Sequence, residues 1–229
     1  MAQQQRDANT TIMKPILTIA IPTIEGRESQ FNTLQLWLLA QNVGGFAKII
    51  SEKDNKEMAI GAKRQLLLDK CDTEYIVQID DDDNVPMDYI SEIRKALETK
   101  PDCIGYLEEI RPSGKIACHS NEFSQWHGPG LYNKETTLRR HLIMPNDERF
   151  GPDYHYLRTI FHKDVIKTDI ARQIGLNTSL RFAEDHDFSI RLKQSGLLKN
   201  EVFIDKIMYY YNDPGYMTEQ QKNERYGII

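Results

Sequence analysis

The sequence is short of the residues that build a stapled scaffold. Its three cysteines, Cys71, Cys103 and Cys118, are odd in number, well separated and form no CxxC pair. That argues against a disulfide framework or a cysteine zinc site, and it fits reduced thiols in a cytosolic setting. No run approaches the ~20 apolar residues of a membrane span. Residues 1–14 are polar and Gln-rich, without the apolar segment of a signal peptide, and read as a flexible tail. Positive charge is not in excess either. A formal net charge of −5 leaves no global basic footprint for nucleic acid, although Arg139-Arg140-His141 is a local basic patch. There is no internal repeat. These absences lead to the expectation of a soluble, cytoplasmic protein. A length of 229 residues suits one α/β domain, of generous size or with a large insertion, that buries its core without staples.

What the chain does have is four consecutive aspartates, Asp80 to Asp83, at the end of a short apolar run, Tyr75-Ile76-Val77-Gln78-Ile79. The run is β-branched and aromatic and stops abruptly at charge, as a buried strand does when it ends at a site. Two carboxylates ~4 Å apart repel by roughly 1 kcal/mol even in bulk water, and by more beside a low-dielectric core. A divalent cation offsets that repulsion, because hard cations take oxygen ligands. The alternative is a solvated acidic turn whose charge suits the N-terminus of the next helix. An EF-hand is excluded: counting from Asp80, the sixth position is Val85 instead of Gly and the twelfth is Ser91 instead of Glu.

Around this run the apolar pattern alternates in type. Strands are expected over 16–21, 47–51, 75–79 and 103–107. Helices are expected after Ser29, with Phe31, Leu34 and Leu38 on one face, over 60–70, and after Pro86, with Ile90, Ile93 and Leu97 aligned. This βαβαβαβ order predicts a mostly parallel, doubly wound, Rossmann-like α/β sheet with helices on both faces. Such sheets bind ligands beyond the carboxyl ends of their strands, where Thr23, Asp54 and the four aspartates fall. From 111 to 156 the periodicity fades among Pro112, Gly114, Trp126, His127 and other turn formers, the pattern of a functional or mobile insertion. Regular structure is expected to resume with a strand over 156–161. A helix then carries Val165, Ile166, Ile170 and Ile174 and stops at Gly175; another over 185–195 stops at Gly196. Late strands are expected over 202–204 and 207–211.

Five separated segments resemble, in matching order, the GT-A fold glycosyltransferases of the family 2 type. They are LTIAIPTIEGR (17–27), DNKEMAIGAKRQLLL (54–68), IDDDD (79–83), FHK (161–163) and FAEDHDFSIRL (182–192). In the resemblance these stand for the opening strand and its loop, the helix behind the nucleotide, the DxD strand end, a later strand carrying a histidine, and the ED-motif helix. Gln65 departs from the family's usual Asn. The likeness covers most of the chain apart from 111–156 and the two tails. It implies a single GT-A domain over 15–211. Within it, 15–108 is the nucleotide-sugar half, 111–156 an irregular acceptor-side insertion or lid, and 157–211 the acceptor and catalytic half, with a polar tail over 212–229.

The resemblance also implies roles. Pro22, Thr23, Arg27, Asp54, Lys63, Arg64, Asp80, Asp81 and Asp83 fall at nucleotide-sugar positions. Lys63 and Arg64 are adjacent and diverge by roughly 100° on a helix, which favours Arg64 toward the nucleotide with Lys63 next. Asp80, Asp82 and His162 are the expected metal positions, for Mn²⁺ or Mg²⁺, with an imidazole ligand tilting toward Mn²⁺. Strand alternation places Asp80 and Asp82 on one side and turns Asp81 away; Asp83 reaches toward metal or sugar hydroxyls. Asp185 is the expected base of an inverting transfer, Glu184 orients it or meets the acceptor, and Asp187 is the nearest competitor. The donor implied is a nucleotide-diphosphate sugar, with a UDP-sugar favoured. The acceptor is a hydroxyl on a glycan, lipid-linked sugar, protein or modified nucleic-acid base, with Trp126 and His127 as candidate stacking residues. Two other readings remain beside it. A sugar nucleotidyltransferase would want a Gly-rich loop after the first strand, and Pro22 to Arg27 holds one glycine. A non-catalytic nucleotide- or glycan-binding protein would not need the full set of aspartates.

Overall fold

The computed structural model describes residues 14–123 and 156–213. The tail expected over 1–14 (all but Lys14), Trp126, His127 and most of the 111–156 segment lie outside the described residues, as does the tail after Asp213.

The sheet grows from β1 (Leu17–Ile24), whose first seven residues are all buried. A strand covered on both faces reads as a near-continuous apolar run, and LTIAIPT departs from one only at the buried Thr18 and Thr23. On either side run β2 (Ala47–Asp54) and β3 (Tyr75–Gln78), both parallel to β1. Their register pairs Ile24 with Asp54, so the acid falls at the carboxyl end of the sheet. The helices between them are α1 (Glu28–Gln41) and α2 (Ile60–Lys70), followed by α3 (Tyr89–Ala96). Next come β4 (Cys103–Arg111), β5 (Lys115–His119), β6 (Tyr156–Arg158), β7 (Val165–Lys167), α4 (Thr168–Ile174), α5 (Glu184–Ser195) and β8 (Glu201–Asn212). The sheet order is β2-β1-β3-β7-β4-β5-β6, with β8 on the other edge of β4.

Side-chain alternation sorts the core into two layers. Leu17, Ile19, Ile21, Tyr75, Val77 and Ile79 pack with Leu34 and Leu38 of α1 and Ile90 and Ile93 of α3. Ala20 and Ile76 point the other way, onto Leu67 and Leu68 of α2 and Phe188 and Leu192 of α5. Helices therefore cover both faces, as expected. Gly175 and Gly196 follow α4 and α5 with φ of +64° and +62°, positive values that favour glycine, and Gly196 is the left-handed cap that ends a helix most cheaply.

The sheet is mixed. β1, β2, β3, β4 and β8 run one way, while β5, β6 and β7 oppose them. Three expectations need correction. Val165 and Ile166 belong to strand β7, which slots antiparallel between β3 and β4; the helix starts only at Thr168. Two apolar residues fit either period, and the space left between β3 and β4 decided it. The irregular segment begins later than 111, because β4 runs on to Arg111 and pairs back with β5. The two late strands are one, β8, whose register against β4 slips where Ile204 and Ile207 flank exposed Asp205 and Lys206. No helix among the described residues is long and apolar enough to cross a membrane.

Candidate active site

β3 stops at Gln78, and residues 80–83 form a turn closed by the Asp83 N–H to the Asp80 carbonyl (3.1 Å). The pleat ends with the strand, so alternation no longer governs where the aspartates point. Each carboxylate finds its own partners. Asp80 accepts from Arg64 at 2.7 Å. Asp81 does not turn away from the site: it accepts from the Thr23 hydroxyl at 2.6 Å and from Arg27 at 2.8 Å, both at the end of β1. Asp82 lies 2.9 Å from the same Arg27 guanidinium. Asp83 is buried beneath them, accepting from Tyr209 Oη at 2.7 Å and from the Asn212 N–H at 2.8 Å. Arginine, lysine and hydroxyl donors thus offset the repulsion that the sequence displays. Arg64 leads a set of nearby cations that overcomes burial and holds Asp80 well below the ordinary carboxylate range. Asp83, where burial dominates and Asp80 adds repulsion, is pushed up to about 6.

The second wall comes from α2. Gly61 lets its first turn sit against the loop before α5: a Cβ there would fall 2.1 Å from the Asn177 carbonyl oxygen, while the Gly61 N–H bonds Leu180 O at 3.1 Å. So placed, Lys63 and Arg64 both reach the site, on different walls, and the 100° between them does not exclude either. Lys63 donates to the Thr23 carbonyl at 2.7 Å and pairs with Asp54, which also accepts the Met58 N–H at 2.7 Å. Asp54 stands behind Lys63 and does not line the opening. Arg64 donates from Nε to Glu184 at 2.9 Å, tying the aspartate turn to the start of α5. Ala183, at φ +57°, makes the sharp entry to that helix. Burial pushes the Glu184 carboxyl up although Arg64 pulls it down. Asp185 lines the same opening, with its Oδ1 accepting the His186 N–H at 2.8 Å. Asp187 points elsewhere, paired with Arg191 at 2.7 Å.

The third wall is the turn between β6 and β7. FHK lies in this turn and not in a strand. His162 is buried, and neither ring nitrogen has a hydrogen-bond partner among the described residues; Nε2 is 4.0 Å from Asp80 Oδ2. Burial, reinforced by the Arg64 cation, holds its pKa well below the ordinary value, so the ring is neutral. Beside it, Lys163 sits 3.3 Å from both Asp83 and Glu108. Sequence reasoning gave neither Lys163 nor Glu108 a role. The available signal was the inward phase of Glu108 on β4.

Together these walls enclose a cleft of about 480 Å³ that gathers Pro22, Thr23, Arg27, Lys63, Arg64, Asp80, Asp81, Asp82, His162, Glu184 and Asp185. Seven lysine or arginine residues face six carboxylates around it, so the acids that would repel a diphosphate are already offset. Among the described residues no group of three or more His, Cys, Asp or Glu is preassembled to hold a metal ion.

No protein-family model and no curated protein matches the sequence. Solved structures do. S. aureus TarS residues 1–349 in complex with UDP-GlcNAc superpose with a TM-score of 0.57 at 13% identity, over 90% of this chain and 60% of that one. The UDP complex gives 0.56 at 12% identity, over 86% and 60%. A longer TarS structure gives 0.53, with 36% of its chain covered. The chain thus spans 60% or less of these structures, and what it shares with them is the GT-A fold that its ordered motifs led us to expect.

Proposed function

We propose that this protein is a glycosyltransferase that moves a sugar from a nucleotide-diphosphate sugar, a UDP-sugar by preference, to an acceptor hydroxyl with inversion. The observation that carries the reading is the Arg64 bridge, which brings the aspartate turn and the start of α5 to one cleft. The fold likeness to a protein solved with UDP-GlcNAc and with UDP supports the choice of donor.

In this reading the nucleotide lies over β1 and β2, where Pro22, Thr23, Lys63 and Asp54 gather, and Arg27 and Arg64 meet the diphosphate. Arginine suits that task because its planar fork pairs with phosphate oxygens. Mn²⁺ or Mg²⁺ would be held by Asp80, Asp82 and His162. The neutral, unpartnered imidazole beside Asp80 fits such a group, and these ions commonly take only one or two protein carboxylates, leaving the other positions to phosphates and water. Bound there, the cation would stabilise the leaving diphosphate as its charge develops. Asp185 takes the acceptor proton: it lines the cleft, and its Oδ2 has no hydrogen-bond partner among the described residues. Glu184, fixed by Arg64, holds the helix start that presents it.

The test is a panel of UDP-, GDP- and dTDP-sugars with Mn²⁺, read by nucleotide release and thermal shift. A ligand at about 100 times its Kd stabilises by roughly 2.7 kcal/mol, or roughly 5–10 °C for a chain of this size. UDP with Mn²⁺ should give such a shift, and one UDP-sugar should be turned over. No shift and no release across the panel overturns the proposal.

A further inference from the structure

The end of the cleft away from the nucleotide wall is built by β4, β8 and the turn before β7. Its residues include Glu108, Lys163 and Tyr211. In the sheet order, β1 and β2 lie on one side of the aspartates, while β4 and β8 lie on the other, beyond β7. A ligand whose diphosphate lies at the aspartate turn and whose base lies over β1 and β2 therefore points its remaining group at this end.

Glu108 and Lys163 are both buried, yet their bonding is loose. Lys163 Nζ is 3.3 Å from Glu108 Oε2 and 3.3 Å from Asp83 Oδ2, beyond the usual N–H···O range. Two other ion pairs with a buried partner are shorter, Arg64–Asp80 at 2.7 Å and Lys167–Asp102 at 2.8 Å. The other Glu108 oxygen is 3.9 Å from His119 Nε2, which makes no hydrogen bond among the described residues. A carboxylate has about four acceptor sites and an ammonium three donors, so both groups retain bonding capacity on a cleft wall. The Tyr211 ring lies 4.2 Å from the same ammonium and presents a flat apolar surface. A purely structural ion pair is the competing account. It would gain little over an apolar pair at the same depth, and nothing in it calls for contacts this long.

We propose that Glu108, Lys163 and Tyr211 form the subsite that selects the transferred sugar, with Glu108 accepting from ring hydroxyls, Lys163 donating to them, and Tyr211 packing on the ring face. The inference rests on the donor reading above. A sugar offers both donors and acceptors on every hydroxyl together with an apolar ring face, and this end of the cleft offers the complement to each.

The experiment measures calorimetric Kd values, with Mn²⁺, for UDP, UDP-glucose, its C4 epimer UDP-galactose, and UDP-xylose, which lacks the hydroxymethyl group. GDP and dTDP sets replace these if that nucleotide is the one bound. The wild type should separate the sugars by about tenfold or more, the effect of a hydrogen bond to a charged group made or lost. Glu108→Gln should compress that spread to within threefold while the bare nucleotide keeps its Kd. Tyr211→Ala, at the half-buried end of β8, provides a second variant that leaves the buried charges intact, and it should weaken every sugar nucleotide about tenfold but not the nucleotide. A wild type that does not distinguish the sugars overturns the inference, as do variants that keep the spread or that weaken nucleotide and sugar nucleotides alike. Failure of every bare nucleotide to bind instead removes the donor reading on which it rests.

Discussion

Arg64 and Glu184, 120 residues apart in the chain, are joined by one hydrogen bond of 2.9 Å, and the same guanidinium reaches Asp80 at 2.7 Å. This bridge makes one site of two distant motifs. Removing it leaves a carboxylate buried without its cation, which costs about 3–5 kcal/mol in comparable sites. Arg64→Ala should therefore lower the unfolding free energy by that amount, read as a lower urea midpoint at unchanged slope. Arg64→Lys should recover only part, since one ammonium does not span two acceptors as a fork does. An alanine variant within 0.5 kcal/mol of wild type would show the bridge to be incidental.

Gly61→Ala gives a prediction whose sign separates two arguments. Helix propensity alone favours alanine by about 1 kcal/mol. The close approach to the Asn177 carbonyl, 2.1 Å from the added Cβ, is to backbone and has no flexible end to move aside. Overpacking of this kind costs roughly 1–3 kcal/mol. We expect net destabilisation by thermal melt, together with weaker nucleotide binding, because Lys63 and Arg64 ride on the same turn. A stabilised variant would mean that the loop before α5 yields freely.

Much of this fold is legible in the apolar periodicity. The helix over 60–70 matches α2 to the residue, and the run at 75–79 marks β3 to within one. Legibility fails where the outcome depends on tertiary space. Val165 and Ile166 fit a helix or a strand until β3 and β4 leave a gap between them. Asp81 appeared to face backward because strand alternation was carried one turn too far. Lys163 carried no local signal for its role, since its partners Asp83 and Glu108 lie 80 and 55 residues away. Motif order located the cleft, but pairings between distant residues set the charge balance inside it.

Glu201 should impose a pH slope on stability. It is largely buried, accepting from Ser120 at 2.9 Å and from the Asn121 N–H at 3.2 Å, and burial pushes its pKa up to about 7 from an ordinary 4.5. The folded state then holds a proton that the unfolded chain has released, so this group's contribution is full below pH 4.5 and is lost as pH rises through 7. At 1.36 kcal/mol per pKa unit, the loss is on the order of 3 kcal/mol. Glu201→Gln should flatten the curve across that window, and the wild-type minus variant difference isolates the group from others that titrate nearby. A difference that does not change with pH would put the carboxylate in water.

His162 separates a structural histidine from a ligand. Its two nitrogens make no hydrogen bond among the described residues, so His162→Ala deletes buried polar atoms that contribute no bond there and should leave the metal-free melting temperature within a few degrees. The stabilisation given by UDP with Mn²⁺ should fall, with the apparent Mn²⁺ affinity reduced about 10- to 100-fold and the preference for Mn²⁺ over Mg²⁺ narrowed, since imidazole favours the former. Chelation with EDTA should bring wild type down to the variant's level. Equal Mn²⁺ affinity in the two proteins would leave the carboxylates as the only ligands.

Asp185→Asn tests the chemical step apart from binding. The substitution keeps the size of the side chain and keeps an oxygen to accept the His186 N–H, now held at 2.8 Å, but it removes the lone pair that would take a proton. General-base catalysis contributes typically 10²–10⁴-fold, so kcat should fall by at least about 100-fold while the Kd for UDP stays within threefold. Asp187 gives the control. It is paired with Arg191 and stands outside the cleft, so Asp187→Asn should cost no more than about fivefold in kcat, a loss worth roughly 1 kcal/mol. If Asp187→Asn were the silent enzyme and Asp185→Asn the active one, the base would have been assigned to the wrong aspartate in the first turn of α5. If Asp185→Asn lost UDP binding and transfer together, its carboxylate would belong to the donor site, and proton removal would fall to the acceptor or to Glu184, whose raised pKa already leaves it closer to neutrality than an ordinary glutamate.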